Sequence, residues 1–400
     1  MKVFKAIYRW LASVAEVFRS EFGVLRRDAG AMLFFFGLPL FYPIVYTLIY
    51  NPEVVRDIPV AVVDHSGTAD SRELVRKVDA TSAISVAYRC ASMGEARDLV
   101  ARGQAYGVLE IPQDYARNIG RGVTAHVDFY SDMSLLLRYR TFVGVLTDVQ
   151  LATCTEITAK KLGAAGISSS GLPISNRSHF MGDPEEGYAS FIIPGIVILI
   201  LQQSMLLGIT LIGATSRERR RYYRGRDPLR PEDRGPGATV WGRALVYFLC
   251  YIPMTIYILH WIPEIFGLPH YGSAADYLQL MAPMLLATAF MGQALTYFVR
   301  EREMTFIIFV FSSVVFLFLS GMVWPRYAMS APWVLCGDFV PGVWGIEGFI
   351  RINNNGASLA EVSTPYYWLW GLAALYFVAA VAATAWLRRR PLRPFLPYER

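Results

Sequence analysis

The sequence predicts an α-helical polytopic membrane protein, with six transmembrane helices and an α/β domain inserted between the first two. Three observations carry this. The 400-residue chain is 54% hydrophobic and only 18% charged, its mean hydropathy is +0.34, and a soluble chain of this length needs more charge to cover its surfaces. Its charges are bunched, leaving long stretches with none. Strand-like segments alternate with short helical ones in a single region.

Six windows hold no Asp, Glu, Lys or Arg: 29–50, 187–216, 244–263, 277–299, 304–325 and 362–387. A helix rises about 1.5 Å per residue and the hydrocarbon layer is about 30 Å thick, so roughly 20 apolar residues cross it. One such window could be a core helix; six cannot. Transmembrane helices are expected at 29–50, 188–214, 242–263, 277–299, 304–324 and 366–387.

Residues 1–28 precede the first span. Phe4, Ile7, Tyr8, Leu11, Val14, Ala15, Phe18, Phe22 and Leu25 recur at helical spacing, with Lys5, Arg9, Ser13, Glu16, Arg19 and Ser20 around much of the remaining circumference. This reads as an amphipathic helix on the inner membrane surface, with Phe4, Leu11, Phe18 and Phe22 on its apolar side and Arg9 towards the headgroups. Anchoring is the simpler role; contact with a cytoplasmic partner is the alternative. Gly37, Pro39 and Pro43 should kink the first span without breaking it. The span ends in Tyr50-Asn51-Pro52, not a small-residue cleavage site, so a retained signal anchor is expected.

Residues 51–186 form the inserted domain. Ile58–Asp64 reads as a strand closing on a turn, 70–79 as a helix, 83–88 as a strand and 92–102 as a helix. Strands follow at 107–111 and 124–130, then a helix over about 133–163 and a Gly/Ser-rich linker at 163–172. That alternation is an α/β pattern. Cys90 and Cys154 fall here; a bridge and two free thiols are both open.

Residues 187–390 carry the other five spans. Between the last two, residues 332–351 are too polar and broken to cross and too apolar for an open loop. Two short helices dipping into the outer leaflet fit them. Residues 391–400 form a tail.

The net charge is +6 and the pI about 9.1, yet the bases are not pooled as a nucleic-acid surface would pool them. Six precede the first span, eight lie from Arg217 to Arg234, Arg300 and Arg302 separate two spans, and Arg388, Arg389, Arg390, Arg393 and Arg400 end the chain. Residues 264–275 have none. This asymmetry puts both termini, the 217–243 loop and the 300–303 turn in the cytoplasm, and 51–186 outside. The 14 basic residues of that long domain do not count against it, because long domains translocate regardless of charge. Trp241, Trp261, Trp324, Trp368, Trp370 and Trp386 sit where spans should meet headgroups.

The windows contain no Asp, Glu, Lys or Arg and a single histidine, His260, so the intramembrane carboxylates of ion-driven transporters are missing. No Gly-x4-Gly-Lys-Ser/Thr loop, His-Glu-x-x-His, Cys-x-x-Cys or Gly-x-Ser-x-Gly occurs, and no catalytic residue or metal ligand set stands out. Asp64-His65-Ser66 matches a triad only in its letters: three consecutive residues cannot converge on one reacting atom. The basic run from Ser216 to Pro228 is either a solvated topology determinant or a docking helix for a partner.

Two stretches carry a family pattern. One is Ile58-Pro-Val-Ala-Val-Val-Asp64, with Ser71-Arg-Glu-Leu74 and Ala96 to Gly107 leading into Val108-Leu-Glu-Ile-Pro112-Gln-Asp-Tyr115. The other is Leu319-Ser-Gly321-Met-Val-Trp-Pro325, running through Ala331-Pro332 to Pro341 and Gly348-Phe-Ile-Arg351. In this order around six spans they resemble the type-2 permeases of ATP-binding-cassette exporters, the group with an extracytoplasmic domain after the first span. The resemblance implies a type V exporter-like fold and a half-transporter. Two permease subunits, identical or paired with a close relative, would work with two separate ATPase subunits that bind ATP and Mg; this chain itself would bind no cofactor. By position, Arg217, Glu218, Arg219, Arg220, Arg221 and Tyr222 would couple to the ATPase, with Glu218 the first choice. The run Arg-Glu-Arg-Arg-Arg-Tyr-Tyr departs from the family's frequent acidic stretch followed by Gly-Thr, so the contact residues do not transfer directly. Gly321, Pro325, Pro332, Pro341, Glu347 and Arg351 would form the re-entrant segment at the outer gate. The implied activity is export of a lipophilic or amphipathic substrate from the cytoplasm or inner leaflet, in a bacterial inner membrane. Membrane lipids surround it, nucleic acid plays no part, and the outer domain could meet a periplasmic adaptor. Gly195, Gly208, Gln202 and Gln203 either face a dimer cleft or pack against neighbouring helices. The competing reading is a non-transporting receptor or assembly scaffold whose outer domain binds a partner.

Overall fold

The computed structural model describes residues 2–50, 55–132, 136–164, 188–223, 226–231, 234–268 and 270–389. In chain order the elements begin with α1 (Lys2–Arg27) and α2 (Ala29–Tyr50). Then come β1 (Ile58–Asp64), α3 (Ala69–Asp79), β2 (Ile84–Cys90), α4 (Met93–Ala101), β3 (Gly107–Ile111), α5 (Tyr115–Arg121), β4 (Asp128–Ser131) and α6 (Leu136–Ala164). Seven further helices follow: α7 (Tyr188–Tyr222), α8 (Pro236–Phe266), α9 (Ala274–Leu295), α10 (Arg302–Leu319), α11 (Ala331–Asp338), α12 (Pro341–Asn355) and α13 (Ser363–Arg389). The chain divides into two compact units, residues 54–179 and residues 1–53 with 180–400.

The smaller unit is a four-stranded sheet in the order β2-β1-β3-β4. β1 pairs parallel with β2 and β3, while β4 runs antiparallel to β3. The helices α3 and α4 make the two crossovers that parallel strands require. β1 is buried on both faces, which is why Ile58–Asp64 reads as an unbroken apolar run rather than an alternation. One face packs Ile58, Val60, Val62 and Leu109 against Val75 of α3 and Phe142, Leu146 and Val149 of α6. The other closes Ala61, Val63 and Val108 over Ala96. Gly107 is required here, since a Cβ on it would come 2.8 Å from the Phe142 ring. At the end of β1, Asp64 accepts hydrogen bonds from the backbone N–H groups of Ser66 and Gly67, each at 3.0 Å, and from the Ser71 hydroxyl at 2.7 Å. The triad-like letters are a turn that feeds the Thr68–Ser71 capping box of α3. Cys90 is buried and Cys154 exposed, and both are free.

In the larger unit six helices, among the described residues, are long and apolar enough to cross a membrane: α2, α7 over Ile192–Tyr222, α8, α9, α10 and α13. α7 is buried almost throughout and touches α2, α9, α10 and α12. By contrast α10 leaves Ile307, Val310, Phe311, Val314 and Phe318 exposed, and α2 leaves Phe41, Leu48 and Ile49 exposed. Continuous apolar faces of this kind are stable against hydrocarbon and a liability in water. Pro39 and Pro43 are absorbed within α2 behind a π-turn at Leu33–Gly37, and α8 has a second π-turn at Tyr257–Trp261 after Pro253.

Helix ends depart from the charge-free windows in informative places. α7 continues to Tyr222, so Arg217–Tyr222 is its last helical stretch and not part of a loop. α8 begins at Pro236 and takes in Arg243, an ionisable group the windows left out. α9 stops at Leu295. α10 stops at Leu319, since the chain turns at Gly321 with φ of +87°, a conformation that suits glycine. The 332–351 region is two short helices, α11 and α12, broken between Asp338 and Pro341.

Candidate functional site

One end of the helical unit gathers the charges. Three carboxylates organise it, and two of them, Glu21 and Asp28, tie together segments far apart in sequence. Glu21 of α1 is fully buried; it pairs with Arg230 at 2.5 Å, lies 3.5 Å from the Arg243 Nε of α8, and accepts a hydrogen bond from the Tyr247 hydroxyl. Burial alone raises its pKa, but the two guanidinium groups and the hydrogen bonds from Tyr247 and Arg230 outweigh that and hold it below the ordinary carboxylate value. Asp28 caps α2 by accepting from Ala31 N–H at 3.0 Å. It also receives Arg302 of α10 at 2.7 and 3.1 Å and the Thr215 hydroxyl of α7 at 3.2 Å. Asp227 receives the Ser216 hydroxyl at 2.5 Å and stands 3.3 Å from Arg219.

The coupling candidates lie in this same cluster. Arg217 donates to the backbone carbonyls of Tyr297 and Val299. Glu218 accepts the Arg302 backbone N–H at 3.0 Å, capping the start of α10. Arg220 and Arg221 are half-buried, while Tyr222 is 68% exposed and stacks edge-on against Tyr223. α1 lies along α8 through Val14, Val17 and Glu21. The fit is close: a Cβ on Gly242 would meet the Val14 carbonyl and Val17 at 2.8 Å. Phe4, Arg9, Leu11 and Phe22 remain exposed, and Phe18 is half-buried against the helical core.

The α11–α12 region lies beyond the other end of α10, about 27 Å along the helix at 1.5 Å per residue. Its centre is Arg326, which bonds Asp338 and Glu347 (3.0 Å to the latter) and sits 4.6 Å from the Trp344 ring. Trp344 stacks on Trp368 of α13 at 5.1 Å, and Glu347 also holds Arg351 at 2.7 Å. Pro332 and Pro341 open α11 and α12 at first-turn positions, where a missing N–H costs nothing. Gly321 supplies the turn, and Pro325 follows it before the short 3₁₀ turn at Arg326–Ala328. Thus Gly321, Pro325, Pro332, Pro341, Glu347 and Arg351 share one region, but it is Arg326 and Asp338 that tie it together.

The family model for the ABC-2 family transporter protein matches residues 30–382, most of the chain. This chain belongs to the ABC-2 transporter family. It is therefore a multi-pass membrane permease, a transport subunit rather than an enzyme, and membership implies an ATP-binding-cassette ATPase subunit as its partner. No curated protein matches the sequence.

Within this ABC-2 permease, α7 runs from one polar cluster towards the other. Its interior polar groups serve packing: Gln202 accepts the Gly342 N–H of α12, Gln203 donates to Ser312 of α10 at 3.2 Å, and Ser204 receives the Tyr251 hydroxyl at 2.9 Å. Gly195 abuts Met322 and Gly208 abuts Phe35, so both glycines are close-approach positions. Sequence reasoning passed over Glu21, Asp28, Asp227, Arg230, Arg243 and Arg302. For two of these a signal existed. Glu21 interrupts the stripe Val14, Val17, Val24, Leu25 at helical spacing, and a carboxylate there demands a buried partner. Asp28 directly precedes a charge-free run, an N-cap position. Among the described residues, no group of His, Cys, Asp and Glu is arranged to hold a metal ion.

Proposed function

We propose that this ABC-2 permease is one half of an exporter that moves a lipophilic or amphipathic substrate outward, driven by ATP hydrolysis on a separate subunit. The observation that carries the reading is the charged end of the helical unit. Glu21, Asp28, Asp227 and Glu218 tie α1, α2, α7, α8 and α10 into one body, so a push on any of them is felt by the others. That is the mechanical property a permease needs if its motor is on another chain. The nearly ion-free interior of the long helices supports an external energy source, because proton and sodium relays need intramembrane carboxylates.

In this reading α2, α7, α8, α9, α10 and α13 cross a bacterial inner membrane, with both termini in the cytoplasm and residues 51–186 outside. A second permease subunit covers part of the exposed apolar surface of α2 or α10. The ATPase docks at the end of α7, where Tyr222 and Tyr223 are exposed. Glu218 sits one turn behind them and passes the motion to α10 through Arg302. Residues 326–351 form the outer gate, and the outer domain offers a surface to a periplasmic adaptor.

The test is reconstitution of the permease with its ATPase in lipid vesicles. Wild-type complex should show ATP-dependent efflux of a lipophilic dye. Tyr222→Ala should weaken co-purification of the ATPase, and Glu218→Gln should leave the complex intact but uncouple ATP turnover from efflux. A chain that neither retains an ATPase nor supports ATP-dependent efflux defeats the proposal and favours the scaffold reading.

A further inference from the structure

At the charged end of the helical unit, α7, α8, α9 and α13 leave a cavity of about 90 Å³. That is several times the ~10–15 Å³ one water needs and well below the roughly 300 Å³ at which drug-sized sites begin. Its wall carries five arginines: Arg217, Arg220, Arg230, Arg243 and Arg388. Asp227 is the one carboxylate in that wall, and it already receives the Ser216 hydroxyl and stands 3.3 Å from Arg219. An excess of one charge in a partly buried space is costly unless something negative answers it.

The answer within the described residues is incomplete. Arg217 spends its guanidinium on two backbone carbonyls, which neutralise no charge. Arg230 and Arg243 share the single carboxylate of Glu21. The five arginines of the wall thus meet two carboxylates, Glu21 and Asp227, and Asp227 also serves Arg219. Two buried polar atoms of the wall are left over: the Nε of Arg230 has no acceptor and the Oε1 of Gln293 has no donor, while the Nε of Arg243 faces Glu21 Oε2 at 3.5 Å.

We propose that this cavity binds a phosphate-bearing anion. Guanidinium groups match phosphate oxygens in charge and in paired hydrogen-bond geometry. Gln293 Oε1 would accept a hydroxyl, which hydrogen phosphate carries on phosphorus and a glycerol headgroup carries nearby. The ligand is therefore either free inorganic phosphate or the headgroup of an anionic phospholipid, as basic pockets between membrane helices on the cytoplasmic side accept. The site adjoins the proposed ATPase surface, since Arg220 of its wall is two residues from Tyr222, but it needs no second subunit.

The experiment uses the full-length chain alone, purified in a neutral detergent, and reads its thermal midpoint. One arm titrates inorganic phosphate at constant ionic strength. The other compares nanodiscs of phosphatidylcholine with and without phosphatidylglycerol. Wild-type protein should be stabilised in at least one arm, and which arm responds identifies the source. Arg243→Gln and Arg220→Gln should each weaken the response about tenfold, equivalent to about 1.4 kcal/mol. Arg226→Gln, an exposed arginine outside the wall, should not. If Arg243→Gln fails to fold, Arg220→Gln carries the comparison. No stabilisation of wild type in either arm overturns the proposal, as does a response that falls equally in Arg226→Gln. Neither result bears on ATP-driven efflux, which is read in a different assay.

Discussion

Glu21→Ala should be among the most damaging single substitutions in the helical unit. Glu21 is fully buried and answers Arg230, whose side chain is 7% exposed, and Arg243. Removing the carboxylate leaves both guanidinium groups and the Tyr247 hydroxyl without their shared acceptor. Breaking a buried ion pair by deleting one partner costs about 3–5 kcal/mol, whereas replacing the whole group by apolar residues is often neutral. At roughly 2–4 °C per kcal/mol, the midpoint of the purified permease should fall by about 6–20 °C. Amide exchange should locate the loss in α1 and the start of α8, since those surfaces meet through this residue. The triple substitution Glu21→Leu, Arg230→Met, Arg243→Met should recover most of the midpoint. If Glu21→Ala moves the midpoint by less than about 1 °C, or the triple variant is as unstable as the single one, the cluster is not what holds α1 to α8.

Other outcomes follow from the same geometry. Asp28 is held below the ordinary carboxylate value: burial raises its pKa, but Arg302, Ala31 N–H and Thr215 outweigh it. Its contribution is therefore present above about pH 4, the unfolded value, and lost as pH falls through the lower folded value. Asp28→Asn should flatten the acid limb of a midpoint-against-pH curve. Gly242→Ala drives a Cβ into the Val14 carbonyl and should cost about 1–3 kcal/mol, while Gly237→Ala on the same helix meets nothing and should be neutral or slightly stabilising. Arg326→Gln strips Asp338 and Glu347 of their shared cation and should raise amide exchange in α11 and α12 without disturbing α1, read by exchange mass spectrometry. Gln202→Leu leaves the Gly342 N–H buried without an acceptor, which should cost about 1–3 kcal/mol in thermal stability.

The long apolar helices were legible because one physical variable, the absence of charge over twenty or so residues, marks each of them. The α/β unit was legible for a different reason: Ile58–Asp64 and Gly107–Ile111 are bounded by turn and cap residues that fix their ends. Helix ends near charges were less so. Residues Arg217–Tyr222 look like a loop by hydropathy, yet Arg217 and Glu218 find partners on the 297–302 segment and α7 simply continues. The charged cluster itself was mostly hidden, because Glu21, Asp227, Arg230 and Arg243 acquire meaning only through pairings that span up to 222 positions. A run of arginines reads as a topology signal until the carboxylates opposite it are known.

That pairing also changes how the basic run should be understood. A solvated positive-inside loop would present its arginines to water or lipid headgroups. Here Arg217, Arg219 and Arg230 point their charge into the protein, and the residue left most open at the end of α7 is Tyr222. Bases that began as markers of sidedness have become the internal bracing of α7. The same helix then reaches Ser312 through Gln203, Gly342 through Gln202 and Met322 across Gly195. Every one of these contacts is a hydrogen bond or a close approach that tolerates little slippage. A helix buried along most of its length and held at both ends should carry a displacement of its charged end as far as Gln202 and α12, ahead of the kink that Pro194 favours before Gly195. The bracing at one end and the close packing at the other are therefore parts of one device, and loosening either should uncouple the two ends before it unfolds the chain.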